Sequence, residues 1–520
     1  MNDILMRIGA VLLAAEGLAA AVRHTQMFQQ NSYYLRRYFG WLKTAFHGRS
    51  FAACFLFLLS AVSIVFGCGY GVMTAGILGL VRFAVAKGDH KKSIKKLVWT
   101  ARVKRLYAVQ ILLVGGGLAV GEVWGGYGYL PTALLSFATP LVILLSGLIM
   151  APIEWRVRLH FIHDAERILK NHRRLTVIGV TGSYGKTSTK FILARILSER
   201  FNVVATPESF NTPMGVVRTV REKLTAPTEI FIAEMGAKRK GDIKEICNIC
   251  HPTVGIVTSV GPQHLDTFGS IETVLATKLE LGVAVRQNGG RLYLNSDNEL
   301  LAGKAASYEA VCFGENEKAA VRAENIRYGS EGLTFDIVKA DLRFTVHTAL
   351  LGRHAAANIT AAAAIALDLG ETPEEIALAV SALQPVEHRL QMRPYYAGSL
   401  LLDDAYNANP SGSMNAVEVL GSFEGRTKII VTPGLVELGE QEYECNKALG
   451  KAAAGVCDYI ILVGQKRSVP LLDGVREAGF DESRLFVVDR FADAAAKLVT
   501  LCDDKTVVLL ENDLPDNYAG

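Results

Sequence analysis

Two glycines, a lysine and a threonine follow one another at a spacing that suits phosphate binding. Residues 175–189 read LTVIGVTGSYGKTST, in which an apolar run leads to Gly182 and Gly185 and then to Lys186 and Thr187. Backbone N–H groups of such a turn, together with the positive end of a following helix, form a cradle for phosphates. The lysine adds a point charge, and the threonine hydroxyl can ligate Mg²⁺. The stretch predicts a nucleotide site, with an ordinary glycine-rich turn as the alternative.

Three further side chains could complete this site. Glu234 closes the run FIAEMG at 231–236, so we expect it at the carboxyl end of a strand, where α/β sheets present ligands. His264 follows another strand-like run, and a loop histidine beside a nucleotide can ligate a metal. Lys278 lies further on, in a predicted helix, where a lysine by itself indicates only a solvated surface.

The elements that would position these residues alternate between strands and helices. Strand-like runs are predicted at 175–180, 230–234, 254–259 and 291–294. Alternation of this kind is typical of a parallel sheet with helices on both faces. More strand-like pieces follow within 305–350, and then an alanine-rich helix at 354–369. From about Pro385 a third unit adds strands at 400–403, 428–431, 459–463 and 506–510.

The first third of the chain is apolar and basic. Residues 1–172 carry 19 Lys or Arg against 7 Asp or Glu, whereas the remainder carries 36 against 44. These positive charges lie between long apolar runs, which favours a lipid bilayer as the partner, and no nucleic acid is expected. About five apolar segments are predicted by length. They lie at 4–22, within 51–86 as a hairpin that turns at 67–71, at 106–124 and at 131–151.

Charge in the loops predicts the topology. The loops 23–50 and 87–105 are basic, so both are expected in the cytoplasm. A second hairpin would then return the chain to the cytoplasm before Trp155. We therefore expect a multi-pass protein of the cell membrane with cytoplasmic catalytic domains. A cleavable signal peptide is the alternative for the first run, because Ala19 and Ala21 form an A-x-A pattern.

These patterns divide the chain into a transmembrane helical region at 1–152, a connecting amphipathic helix at 153–172, a central ATP-binding domain at 173–385 and a C-terminal domain at 386–520. The cysteines are too sparse for a disulfide scaffold, so a reducing compartment is expected. Cys247 and Cys250 form a lone C-x-x-C, which favours buried helix cysteines over a zinc site.

Ordered motifs over about residues 173–520 resemble the Mur ligase family. They are TGSYGKT at 181–187, EMGA at 234–237, GPQHL at 261–265, LNSD at 294–297, GRHAAAN at 352–358, HRLQ at 388–391 and DDAYNANP at 403–410. The last is similar to the MurF-type branch, which joins D-alanyl-D-alanine to the muramoyl tripeptide. The resemblance implies an α/β fold, with a P-loop-type central domain on a parallel sheet and a Rossmann-like C-terminal domain.

The resemblance also implies an activity and a site. The activity would be ATP-dependent formation of an amide bond through an acyl phosphate, on a peptidoglycan-related precursor, with ATP and Mg²⁺ as cofactors. The implied ATP-binding residues are Thr181, Gly182, Ser183, Gly185, Lys186, Thr187, Ser188, Asn295, Asn358, Arg389 and Asp404. The implied metal ligands are Thr187, Glu234, His264 and Lys278, the last as a carbamate. Catalysis would involve Lys186, His264, Lys278 and Asp404, and substrate binding Asn211, Tyr406, Asn407 and Asn409.

The chain departs from the family in ways that bear on its substrates. Apolar helices stand where the family has a domain that holds UDP, so a lipid-linked peptide acceptor is expected beside a small-molecule one. Residues 509–517, LLENDLPDN, stand where the MurF-type branch has a Lys-Gly-Ser element. This acidic segment indicates a different acceptor or a different amino acid or dipeptide amine. Ala355 and Ala405 replace the family's usual asparagine and serine.

Other readings are left open by these patterns. The chain could be a folate- or polyglutamate-type ligase of the same superfamily. It could instead be a membrane-bound protein that binds ATP and makes no bond. An ATP-driven transporter is the third alternative, although no array of paired charges within the apolar runs marks a substrate path.

Overall fold

The computed structural model describes residues 1–31, 33–45, 49–90, 96–207, 210–263, 265–329, 332–405, 408–436 and 438–512. They form two compact units, Met1–His160 and Phe161–Gly520.

The first unit is helical. Its helices are α1 (Asn2–Gln30), α2 (Leu35–Ala45), α3 (Arg49–Val65), α4 (Gly69–His90), α5 (Ala101–Trp124), α6 (Leu130–Phe137) and the first part of α7 (Thr139–Asn171). By length and composition α1, α5 and α7 could each cross a membrane, and α3 and α4 contain shorter apolar stretches. Two pairs of polar side chains meet inside this unit: Arg82 donates to Glu16, and Thr25 contacts Gln110.

Proline positions explain where this unit differs from the predicted segments. The hairpin turn between α3 and α4 lies where the glycine cluster predicts it. The run predicted at 131–151 is broken, because α6 ends at Phe137 and α7 begins at Thr139, before Pro140. The helix expected separately at 153–172 is instead the second half of α7, which continues through Pro152. Proline removes one backbone hydrogen bond, and here that loss does not end the helix.

The central domain is built on a nine-stranded sheet. Its strands are β1 (Thr176–Thr181), β2 (Val203–Ala205), β3 (Ile230–Glu234), β4 (Val254–Val257), β5 (Arg291–Asn295), β6 (Val311–Gly314), β7 (Val321–Gly329), β8 (Gly332–Lys339) and β9 (Leu342–Thr348). The order is β2-β3-β1-β4-β5-β6-β7-β8-β9. Pairing is parallel from β2 to β7 and antiparallel from β7 to β9.

Helices cover both faces of this sheet, as the alternation predicts. They are α8 (Lys186–Leu197), α9 (Pro213–Lys223), α10 (Asp242–Cys250), α11 (Leu265–Phe268), α12 (Ile271–Lys278), α13 (Glu280–Gln287), α14 (Glu299–Ala302), α15 (Ala305–Tyr308), α16 (His354–Asp368) and α17 (Pro373–Ser381). Successive β1 residues face opposite sides, so Ile178 joins one apolar core and Val177 the other. Cys247 and Cys250 are buried in the second core, which confirms them as helix cysteines.

The C-terminal domain has a second, six-stranded sheet. Its strands are β10 (Gln391–Pro394), β11 (Leu400–Asp404), β12 (Thr427–Thr432), β13 (Tyr459–Val463), β14 (Leu485–Val488) and β15 (Thr506–Glu511), and its helices are α18 (Pro410–Gly421), α19 (Glu442–Val456), α20 (Val469–Glu477) and α21 (Phe491–Leu501). The order is β10-β11-β15-β12-β13-β14, parallel except for β10. The last strand therefore inserts between β11 and β12, and the predicted α/β fold class is confirmed.

A buried carboxyl between α16 and α17 makes the stability of this unit depend on pH. Neither oxygen of Glu371 has a hydrogen-bond partner among the described residues, and the residue is 4% exposed. Burial first, and then Glu375 and Glu199, raise the pKa of Glu371 from 4.5 to about 7. Because the folded state holds this proton more tightly, stability is greatest below the unfolded pKa and is lost as the pH rises through about 7.

Glu371→Gln should therefore raise the melting temperature near pH 8 and change it little near pH 5. The pKa shift of Glu371 corresponds to a loss of at most about 3 kcal/mol in the free energy of unfolding at high pH, at roughly 1.4 kcal/mol per pKa unit. The measurement is thermal unfolding of wild type and variant at both pH values. Glu374→Gln, at an exposed position in the first turn of α17, is the matched control. Equal melting temperatures of Glu371→Gln and wild type near pH 8 would contradict the prediction.

Candidate active site

The glycine turn lies between β1 and α8, as the sequence predicts. Gly185 has φ +80°, a conformation that favours glycine because it carries no Cβ. A Cβ on Gly182 would lie 2.0 Å from the hydroxyl of Thr258, so no side chain fits there. The helix begins at Lys186, and its first N–H groups are oriented toward the turn.

Side chains of the turn itself hold it in place. Thr181 donates its hydroxyl to the carbonyl of Met235 at 2.8 Å. Ser183 donates to the carbonyl of Gly261 at 3.2 Å and accepts from the N–H of Gly261 at 3.0 Å. The N–H groups of Ser183 and Tyr184 also donate to the carbonyl and the hydroxyl oxygen of Ser259, each at 2.8 Å. The N–H groups from Gly185 into the first turn of α8 are therefore the candidate phosphate donors.

Lys186 lies across this turn. Its Nζ donates to the carbonyl oxygens of Gly182 at 2.7 Å and Ser183 at 2.9 Å. Burial lowers the pKa of Lys186 to about 8, with Glu234 opposing that shift and Arg389 adding to it. A cation held at the mouth of a glycine turn is placed to attract phosphate oxygens.

Glu234 ends β3 in the interior and accepts three hydrogen bonds, which leaves a lone pair on one carboxylate oxygen for a metal ion. Its Oε1 accepts from the hydroxyl of Thr187 and from Nδ2 of Asn211, each at 3.1 Å. Its Oε2 accepts from Nζ of Lys190 at 3.0 Å, and both side chains of this ion pair are about 0–1% exposed. The sequence reasoning missed Lys190. The available signal was its position one helical turn after Lys186, on the same face of α8.

These residues fit one magnesium ion that arrives with phosphates. Mg²⁺ is usually held by one or two carboxylates together with substrate phosphates and water, and Glu234 and Thr187 are ligands of that kind. In the described part of the chain no group of three or more His, Cys, Asp or Glu side chains is arranged to hold a metal ion. His264, expected at a second metal, lies outside the described residues.

Lys278 is not the solvated lysine that its helix position alone would indicate. It ends α12, is only 3% exposed, and lies close enough to Lys186 for the two side chains to interact electrostatically. Burial first, and then Lys186, lower the pKa of Lys278 well below its usual range, while Asp242 and Glu280 oppose the shift. The neutral amine is therefore favoured at this position.

The two asparagines expected near the adenine lie around the same turn. Asn295 is the last residue of β5 and donates to the carbonyl of Thr258 at 3.0 Å. Asn358, on α16, accepts from the hydroxyl of Thr189 at 3.0 Å. A Cβ on Gly185 would lie 2.9 Å from Oδ1 of Asn358, so this side chain packs against the phosphate end of the site.

A cavity of about 190 Å³ opens next to these residues. Its lining includes Ser188, Phe191, His354, Asn358, Leu383 and Arg389, which come from α8, α16 and the link to the C-terminal domain. An apolar wall with a few polar groups is typical of a pocket for a planar ring. Burial lowers the pKa of His354, which disfavours its protonated form, while a hydrogen bond with Asn415 opposes that shift.

The C-terminal domain brings Asp404 to the end of β11. Its Oδ1 accepts from the N–H of Leu390 at 3.0 Å. Burial raises the pKa of Asp404 to about 6, and Arg389 opposes that rise. Asn409, expected at the substrate, caps α18 by accepting from the N–H of Gly412 at 2.9 Å. Two other expected substrate residues, Tyr406 and Asn407, lie outside the described residues.

Family comparisons match both domains of the second unit. Residues 180–366 match the Mur ligase middle domain, and residues 388–511 match the Mur ligase, glutamate ligase domain. Solved structures agree: MurF from Acinetobacter baumannii superposes with a TM-score of 0.62 at 26% identity, over 68% of this chain and 77% of that chain. MurF ligase from Thermotoga maritima in complex with ADP superposes with a TM-score of 0.61 at 28% identity, over 68% of this chain and 80% of that chain.

Curated relatives carry the name UDP-N-acetylmuramoyl-tripeptide–D-alanyl-D-alanine ligase. One from Mycobacterium bovis is 34% identical over 57% of this chain, which spans 59% of that relative. One from Mycobacterium leprae is 33% identical over 63% of this chain and 68% of its own length. One from Escherichia coli is 30% identical over 62% of this chain and 73% of its own length. On these matches and on the shared architecture, the chain belongs to the Mur ligase family.

Proposed function

We propose that the chain is an ATP-dependent ligase that forms an amide bond on a peptidoglycan-related precursor at the cytoplasmic face of the membrane. The observation that carries the proposal is the convergence of Lys186, Glu234 and Lys278, from α8, β3 and α12, beside one glycine turn. A protein that only bound a nucleotide would need the turn but not a buried lysine of lowered pKa beside it.

The proposed reaction has two steps. The acceptor carboxylate attacks the γ-phosphorus of ATP, which gives an acyl phosphate and ADP. The amine then attacks the acyl carbon, phosphate leaves, and the ammonium proton passes to a base. Lys186 and the N–H groups of the turn would offset the charge on the transferring phosphoryl group. A bound Mg²⁺, held by Glu234 and Thr187, would supply further charge neutralisation.

Other residues would bind and orient the substrates. The cavity beside Asn358 and His354 suits the nucleotide base, and Arg389 and Asp404 would reach the nucleotide from the C-terminal domain. The neutral form of the Lys278 amine can add to carbon dioxide and lose a proton to give a carbamate, whose negative charge would support a second metal. Because α1, α5 and α7 could each cross a membrane, the chain would be anchored there. Anchoring raises the local concentration of a lipid-linked acceptor near the site.

The test is product analysis with the full-length protein in lipid nanodiscs. ATP, Mg²⁺ and a panel of amines would be supplied with either a polyprenyl-linked or a UDP-linked muropeptide, and products followed by mass spectrometry. We expect ADP release and an amide product with the lipid-linked acceptor. Lys186→Ala should lower turnover by about 10²-fold or more, the usual effect of removing transition-state charge stabilisation. Turnover solely with the UDP-linked acceptor would refute the lipid-linked assignment, and ATP binding without any product would refute the ligase.

A further inference from the structure

A buried glutamate at the last strand end stands next to Asp404. Strands β11 and β15 are parallel neighbours whose register pairs Asp404 with Glu511, so both side chains lie on the same face of the sheet. Glu511 is fully buried, and Asp404 is half-buried. Both strands end here, at the edge where α/β sheets bind ligands.

Among the described residues, only one of the two carboxyl oxygens of Glu511 has a hydrogen-bond partner. Its Oε1 accepts from the hydroxyl of Ser413, in the first turn of α18, whereas its Oε2 has no hydrogen-bond partner among the described residues. A buried carboxyl oxygen without a donor costs free energy, and such a cost is retained where a ligand supplies the donor. Burial, and then the charge of Asp404, raise the pKa of Glu511 well above its usual range.

Because burial and the neighbouring Asp404 raise the pKa of Glu511, an ammonium group that arrived beside this pair would stabilise its ionised form. Arg393 forms an ion pair with Asp403 at 2.7 Å, and Nδ1 of His388 lies 2.9 Å from the same carboxylate oxygen, so those two side chains are already used. The charge of Arg389 lowers the pKa of Asp404, whereas the charge of Asp403 raises it. The groups that act on Glu511 are Asp404 and the hydroxyl of Ser413. A carboxylate that entered this edge would meet like charge, whereas an ammonium would meet two acceptors.

We propose that Glu511, with Asp404 beside it, forms a subsite for a cationic group on the incoming amine, so that the amine substrate is a diamino compound without a free carboxylate near the subsite. This inference rests on the proposed ligase function and names the substrate class of the same site. The proposed amine differs from the one in the relatives' name, D-alanyl-D-alanine, which carries a carboxylate at the end opposite its amine. Glu511 is then a specificity-determining residue.

The test compares three amines with the same acceptor and ATP: D-alanyl-D-alanine, its C-terminal amide, and lysinamide. In wild type, kcat/KM should rise in that order, by about tenfold or more from the first to the last, because each change removes a repulsion or adds an attraction. Glu511→Gln keeps the shape and removes the ability to ionise beside a bound ammonium. It should reduce the preference for lysinamide several-fold through KM, with kcat for the neutral amide little changed. Glu511→Lys should reverse the preference.

Two outcomes separate failure of the inference from failure of the proposed function. Preference for D-alanyl-D-alanine in wild type, or a preference that Glu511→Gln leaves unchanged, would overturn the subsite while the ligase stands. Turnover with none of the three amines would overturn both. Glu424→Gln, at an exposed position in the same domain, is the control and should leave all three ratios as in wild type. A purely structural role for Glu511 would lower turnover with every amine alike.

Discussion

Lys190→Met should lower the free energy of unfolding of the second unit by about 3–5 kcal/mol, the usual cost of removing one partner of a buried ion pair. Lys190 and Glu234 are both excluded from solvent and lie 3.0 Å apart. Methionine matches the length of the lysine stem but leaves the Glu234 carboxylate without its cation. Thr187 and Asn211 would still donate to that carboxylate, yet neither carries a charge.

Urea unfolding followed by far-UV circular dichroism is the suitable measurement. Tryptophan fluorescence would not serve, because all 4 tryptophans, Trp41, Trp99, Trp124 and Trp155, lie in the helical unit. The double variant Lys190→Met with Glu234→Met should recover much of the loss, since an apolar pair avoids desolvation of two charges. Lys244→Met, at an exposed position on α10, is the control. If Lys190→Met and Lys244→Met unfolded at the same urea concentration, the ion pair would contribute nothing.

Lys278→Ala should reduce amide formation by about 10²–10³-fold, comparable to the loss of a catalytic charge-stabilising group. The reason is that a carbamate on the buried, neutral amine would provide a negative charge that alanine cannot carry. Short carboxylates such as formate or acetate should restore part of the activity, because they can occupy the space and replace the charge. The measurement is the initial rate of product formation with and without added carboxylate.

Controls separate this chemistry from a packing defect. Lys304→Ala, at an exposed position, should keep full activity and show no response to carboxylates. Thermal unfolding of Lys278→Ala should show that the variant is folded at the assay temperature. Full activity of Lys278→Ala would contradict the proposed role, and so would loss of activity that no carboxylate restores in a folded variant.

Local sequence patterns were sufficient to predict the positions of most strands and of the glycine turn. Strands β3 and β13 have the predicted bounds, because each is a short apolar run that begins directly after an acidic residue and ends at Glu234 or before Gly464. Sequence also placed Glu234 at a strand end and Lys186 at a helix start. Local patterns did not predict the continuous helix α7, since whether a proline such as Pro152 ends a helix depends on its surroundings.

The sequence by itself determined the alternation of strands and helices, the glycine turn and the family, because these depend on residues near one another in the chain. Only the tertiary structure decided that Lys190 neutralises Glu234, that Lys278 is buried, and that β15 inserts beside β11 so that Glu511 meets Asp404. Those outcomes depend on contacts between residues far apart in sequence. Burial and charge pairing are properties of such contacts, so the chemistry of these side chains becomes defined when the chain is folded.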